Sequence, residues 1–80
     1  MSTENILRRV ENICRTVFND QTLVIENNTS ANDIEAWDSI TNLFLIDTIE
    51  KEFDIKFTLD DIFNARNVGD LCEVIESRIS

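Results

Sequence analysis

The sequence predicts an all-α fold: a small bundle of three main helices and one short helix, with a long first loop. Three observations carry this. The 80 residues include one glycine and no proline, which is poor material for tight hairpins. Apolar residues recur at helical spacing in three separate stretches. Residues favoured at helix starts, Asp38, Thr58 and Asn67, stand just ahead of helical patterns.

Residues 3–18 form the first helix, with Ile6, Val10, Ile13, Cys14, Val17 and Phe18 as its stripe. Leu7 widens that stripe, and Ser2 or Thr3 is the expected cap. Arg8, Arg9 and Arg15 lie mostly off the apolar face and hold three of the seven basic residues. Residues 19–37 make a long connection rich in turn-forming polar clusters. Leu23, Ile25, Ile34 and Trp37 are its expected anchors. A loop of this length in a small fold generally has a function or packs through its own side chains.

The second helix runs over 39–53, and Leu45, Ile46, Ile49 and Phe53 form its core stripe. At about 100° per residue, Ile40 and Phe44 project away from that stripe. Residues 54–58, Asp-Ile-Lys-Phe-Thr, read as an extended linker that pins Ile55 and Phe57 into the core. Thr58 and Asp61 make a capping-box variant. They open a short helix, about 59–65, with Ile62 and Phe63 as its apolar contacts. Asn67 caps the last helix, 68–79, whose stripe is Val68, Leu71, Cys72, Ile75 and Ile79. Gly69 falls in the first turn of that helix, where its flexibility costs little. No repeat or internal boundary divides the chain, so residues 1–80 read as one domain.

Sixteen acidic residues against seven basic ones give a net charge of −9. Nucleic acid is therefore not an expected partner, since its phosphates would be repelled. A protein with a basic patch is the expected kind. Self-repulsion in so small a fold weakens the compact state. The melting temperature is accordingly expected to rise with added salt or Mg²⁺. Thermal unfolding across ionic strength checks this, and a flat profile counts against it.

Cys14 and Cys72, the two cysteines, fall within apolar stripes and read as buried free thiols. With no secretory segment near Met1, the chain reads as cytoplasmic and reduced. No apolar run is long enough to span a membrane, and a monomer is expected. The absence of histidine excludes a Ser–His–Asp arrangement. Asp54, Asp60 and Asp61 lack the EF-hand spacing with its central glycine, so no metal site is expected. An enzyme is therefore not the expected reading.

Ser39 remains. It follows the N-cap Asp38 and stands at the first helical position, where free N–H groups and the positive end of the helix dipole gather. Such an end suits a phosphate, bound or covalently attached. Asp-Ser at a helix start is by itself often only a cap and a first-turn residue. Here Ile40 and Phe44 flank the serine on the outward side.

The chain over about residues 5–79 resembles the acyl carrier protein family, whose attachment motif is Asp-Ser-Leu at the head of the second helix. Here the motif is Asp38-Ser39-Ile40. Glu50-Lys51-Glu52-Phe53, Asp54-Ile55, Asp60-Asp61-Ile62 and Asn67-Val68-Gly69-Asp70-Leu71 stay in register with the family's pattern. The resemblance implies an acyl-carrier-like bundle and a carrier role. In the family, a phosphopantetheinyl transferase uses Mg²⁺ to move 4′-phosphopantetheine from coenzyme A to this serine, and the arm's thiol then holds acyl groups as thioesters. Ser39 is then the attachment residue, and Asp38 presents it and contacts the transferase or its metal. Ile40, Phe44, Asp47 and Glu50 are the implied docking residues for acyl-transferring or ketosynthase-type enzymes with basic patches. Ile46, Ile49, Ile62 and Ala65 are the implied acyl-chain pocket.

Two departures weigh against the standard fatty acid synthase role and point to a specialised carrier serving a dedicated ligase, ketosynthase or acyltransferase of fatty acid, polyketide or related lipid biosynthesis. Thr41, Asn42 and Phe44 hold outward positions where general fatty acid carriers have acidic residues, and Trp37 precedes the motif. Two other readings compete. An amino-acyl or peptidyl carrier usually has Gly-Gly-(His/Asp)-Ser, and Ala36-Trp37-Asp38-Ser39 lacks it. An unmodified acidic helical adaptor would use Ser39 only as a first-turn residue.

Overall fold

A computed structural model describes residues 3–79. Helix α1 spans Thr3–Val17, α2 Ser39–Phe53, α3 Leu59–Asn64 and α4 Val68–Ile79. The long loop contains one 3-10 turn, Ala31–Asp33, and no strand occurs among the described residues. Helix α1 packs on α4 and α2, and α3 leans on α4. The expected cap of α1 at Ser2 or Thr3 lies outside the described residues and side chains.

The core lies where the apolar stripes meet. Ile6 and Val10 of α1, Leu45 and Ile49 of α2, and Val68 and Ile75 of α4 are completely buried. Removing each such side chain from water contributes about 1.5–3 kcal/mol. Ile25 and Ile34 bury the loop into the same core, and Ile55 buries the linker. Leu23, Trp37, Phe57, Ile62 and Ile79 pack at its margin.

Helix ends explain how a chain with one glycine turns its corners. Helix α1 stops at Val17, one residue before the expected end, because Asn19 takes a left-handed φ of 54°. The Asp20 N–H then donates to the Arg15 carbonyl at 2.9 Å and the Asn19 N–H to that of Thr16 at 3.3 Å. This is the closure that glycine usually makes at a helix end. Asp54, at φ 55°, closes α2 in the same conformation. Asn and Asp tolerate it better than other non-glycine residues.

The long loop is clamped at two places. Glu11 of α1 is only 6% exposed, and its carboxylate accepts the buried Ile25 N–H at 2.8 Å. Arg8 and Arg15 pair with the same carboxylate at 2.9 and 3.5 Å. Further on, the Val68 N–H donates to the Thr29 carbonyl and the Gly69 N–H to that of Asn27. These two bonds use N–H groups that the start of α4 leaves without helical partners.

The capping pair at Thr58 and Asp61 forms as read: the Asp61 N–H donates to Thr58 Oγ1 and the Thr58 N–H to Asp61 Oδ2. Arg78 of α4 pairs with Asp61 at 3.0 Å and holds α3 in place. Asn67 caps α4, accepting the Asp70 N–H at 2.9 Å. Two expectations for α3 are corrected. The helix ends at Asn64, and Ala65 leaves it with extended backbone. Phe63 is 78% exposed rather than a core contact. In a six-residue helix Ile62 takes the inward direction, and the next side chain points about 100° away.

Cys14 on α1 and Cys72 on α4 are free and buried.

Candidate functional site

The segment before α2 is held from three sides. Asp38 has extended backbone, and its Oδ1 accepts the Ile40 and Thr41 N–H groups, each at 2.9 Å. Thr41 answers: its Oγ1 accepts the Asp38 N–H at 2.8 Å and donates to the Ala36 carbonyl at 2.7 Å. Trp37 lies against Phe18, with ring centroids 5.8 Å apart. Its Nε1–H donates to Asn42 Oδ1 at 3.0 Å. The sequence signalled Asp38 as the cap but not Thr41 as the other half of the box.

The Thr41 N–H, seconded by that of Ile40 and working against partial desolvation, holds the Asp38 carboxyl below its ordinary range. Asp38 is therefore a carboxylate at neutral pH. Because Asp38 and Thr41 do the capping, the Ser39 hydroxyl has no part in it. Ser39 is the first residue of α2 and is exposed. A cleft of about 290 Å³ opens beside it. Its walls are Asp38, Ser39, Asn42 and Ile46 from α2, Ala31 and Trp37 from the loop, and Ile62, Ala65, Arg66, Asn67 and Leu71 from α3 to α4.

The structure therefore brings Ile46, Ile62 and Ala65 to one cleft with Ser39. Ile49, expected beside them, is completely buried in the core and does not line it. On the outer face, Ile40 and Phe44 are exposed as expected, Phe44 at 61%. Leu43, absent from the sequence reading, is exposed between them. Its signal was the i, i+3, i+4 relation to Ile40. Asp47 is exposed one turn on and pairs with Lys51 at 3.0 Å. Glu50 does not join this face freely, because its carboxylate accepts the Phe57 N–H at 2.8 Å and pins the linker.

Residues 8–75 match the family model described as the phosphopantetheine attachment site. A solution NMR structure of the holo acyl carrier protein from Geobacter metallireducens matches with a TM-score of 0.88 and 39% identity. That match covers 92% of this chain and 85% of the other. No curated protein sequence matches significantly. The chain belongs to the acyl carrier protein family.

The carrier is not an enzyme, and its prosthetic group is 4′-phosphopantetheine. The residues around Ser39 fit such a group. The serine hydroxyl is exposed and spared from capping. The cleft beside it combines apolar walls with the side-chain amides of Asn42 and Asn67 and the guanidinium of Arg66. Those amides suit the polar arm and that cation suits its phosphodiester. When bound, the group supplies a thiol on a long arm that holds acyl groups as thioesters. Among the described residues, no helix is long and apolar enough to cross a membrane.

Proposed function

We propose that residues 1–80 form a single carrier domain with its 4′-phosphopantetheine on Ser39. It presents acyl thioesters to enzymes of fatty acid, polyketide or related lipid biosynthesis. The observation that carries this reading is Ser39 itself: an exposed hydroxyl at the first position of α2, free of capping and open to a cleft. Asp38 fixes the direction in which the hydroxyl is offered and supplies a charge for the transferase or its metal to meet. Ile46, Ile62 and Ala65 give an acyl chain an apolar wall, and Ile49 backs that wall from the core.

Partner enzymes dock on the outer face of α2. Ile40, Leu43 and Phe44 form an apolar ridge, and exposed apolar groups of this kind tend to be interface anchors. Asp47 and the net charge of −9 favour a partner whose rim is basic. Glu50 contributes charge to this field, although its carboxylate is tied to the linker. The carrier works as a cytoplasmic monomer for a dedicated ligase, ketosynthase or acyltransferase.

Intact mass tests the attachment. The native chain, incubated with coenzyme A, Mg²⁺ and a broad-specificity phosphopantetheinyl transferase, is expected to gain one phosphopantetheine. Ser39→Ala is expected to gain none. A folded native chain that stays at its original mass removes the proposal. Phe44→Ala tests the docking face. Because Phe44 is mostly exposed, the change is expected to alter stability by less than about 0.5 kcal/mol. Acyl transfer to the cognate enzyme is expected to fall by about tenfold or more. Lost stability with intact transfer would place Phe44 in the fold rather than at the interface.

A further inference from the structure

The cleft beside Ser39 is uneven in its hydrogen-bonding capacity. Asn42 spends its oxygen on the Trp37 Nε1–H. An indole N–H can only donate, so the contact fixes which way round the amide stands and leaves Asn42 with its NH₂ group. Asn67 is in the same condition, because its oxygen accepts the Asp70 backbone N–H. Arg66, the third polar residue on that side, has a side chain 85% exposed. Its Nε lies 3.4 Å from Asp70 Oδ2, and its two terminal amino groups make no bond to the described residues. Among the described residues, Arg66 is the only cation lining the cleft. The Asp38 carboxylate lines the same cleft, in a chain of net charge −9.

We infer that Arg66, aided by the NH₂ groups of Asn42 and Asn67, is a positioning residue for the phosphodiester at the base of the arm. This rests on Ser39 being the attachment residue. The phosphodiester begins one bond from the serine oxygen, so it meets whatever charge borders the cleft. Asp38 repels it and Arg66 attracts it. Side chains that have already used their acceptors offer it donors. A guanidinium grips two phosphate oxygens at once, which an ammonium does not. The base of the arm is then drawn across the cleft toward the start of α4, and the arm leaves from a defined direction.

The test uses apo and fully loaded forms of the native chain and of Arg66→Gln, Arg66→Lys and Asn42→Asp, with loading checked by intact mass. Arg66 is exposed, and Asn42→Asp keeps the oxygen that Trp37 uses, so all three are expected to fold. Two readouts are taken: the ³¹P resonance of the phosphodiester, and the difference in Tm between loaded and apo forms. In the native carrier, the ³¹P shift is expected to move between about 20 mM and about 1 M salt as the pair is screened. Loading is expected to raise Tm by about 2–4 °C at low salt. Arg66→Gln is expected to lose both effects while its apo Tm stays the same, and Arg66→Lys to restore part of them. Asn42→Asp, which turns a donor into an anion, is expected to bring the loading effect to zero or below. A ³¹P shift and loading effect unchanged in Arg66→Gln would overturn the inference and leave Ser39 as the attachment residue. A native chain that takes no arm would overturn both.

Discussion

Glu11→Ala is expected to lower stability by about 3 kcal/mol and Tm by about 15 °C, a large share of what so small a domain has. Glu11 is far from Ser39 in the chain, yet it holds the middle of the long loop. Alanine leaves the buried Ile25 N–H without an acceptor, which alone costs about 1–3 kcal/mol. Arg8 and Arg15 lose their shared partner as well. Their own exposure limits that part, because both can rehydrate. Arg8 Nη2 reaches the Ile25 carbonyl at 3.5 Å and Arg15 Nε the Leu23 carbonyl at 2.7 Å. The loss therefore spreads along the loop from 23 to 25.

Acid titrates the same clamp. Burial alone would raise the Glu11 pKa. The Ile25 N–H and the charges of Arg8 and Arg15 together outweigh burial and hold it below its ordinary value of 4.5. A carboxyl depressed on folding lends stability that is fully present above its unfolded pKa. That stability is lost as the pH falls through the folded value. Glu11→Gln keeps an acceptor for Ile25 but not the charge, so it is expected to cost about 1–2 kcal/mol at pH 7. The gap between native and Glu11→Gln should close as the pH falls below about 4. Urea unfolding at pH 7, 5 and 3 checks both changes. A constant gap would mean that the charge of Glu11 contributes nothing.

Gly69→Ala is the second change expected to act through the loop. At an ordinary helical position this substitution would stabilise, by up to about 1 kcal/mol. Here a β-carbon would stand 2.8 Å from the Asn27 carbonyl oxygen and 3.2 Å from the Asn27 β-carbon. The oxygen is backbone, and it is the acceptor of the Gly69 N–H at 2.7 Å. It cannot move away without breaking the bond that brings it there. A net loss of about 1–2 kcal/mol is expected. The Val68 and Gly69 amides should exchange faster, because their acceptors in the loop are displaced. A gain in thermal stability would show that the loop gives way at no cost.

The elements legible in the sequence are those whose signals are local. Asp38, Thr58 and Asn67 each cap within three residues of where they stand, so their helices begin as read. The stripe of α2 follows from spacing alone, and so do the outward positions of Ile40 and Phe44. What escaped the reading depends on segments meeting across the fold. Glu11 looks like any helix-surface acid until residues 23–25 close over it. Glu50 belongs by spacing to the outer face of α2 until the linker offers it the Phe57 N–H. Gly69 reads as a harmless first-turn glycine, because the Asn27 carbonyl it must admit lies forty-two positions earlier. Ile49 and Ile46 carry the same apolar signal. Only the arrangement of α3 against α4 puts one on the cleft and leaves the other in the core.

The burial of Cys14 and Cys72 bears on how well a thioester survives. Thioesters are consumed by thiolates, and a carrier with reactive cysteines would scavenge its own cargo. Burial first, then the neighbouring Cys72 and the charge of Glu11, pushes the Cys14 pKa up to about 12. Burial and Glu76 push that of Cys72 to about 11. At neutral pH, then, about one interior thiol in ten thousand or fewer is ionised, and that fraction is sealed between α1 and α4. The packing that holds these helices together also keeps both thiols away from a thioester carried on the surface, so the chain's own cysteines do not compete for its cargo.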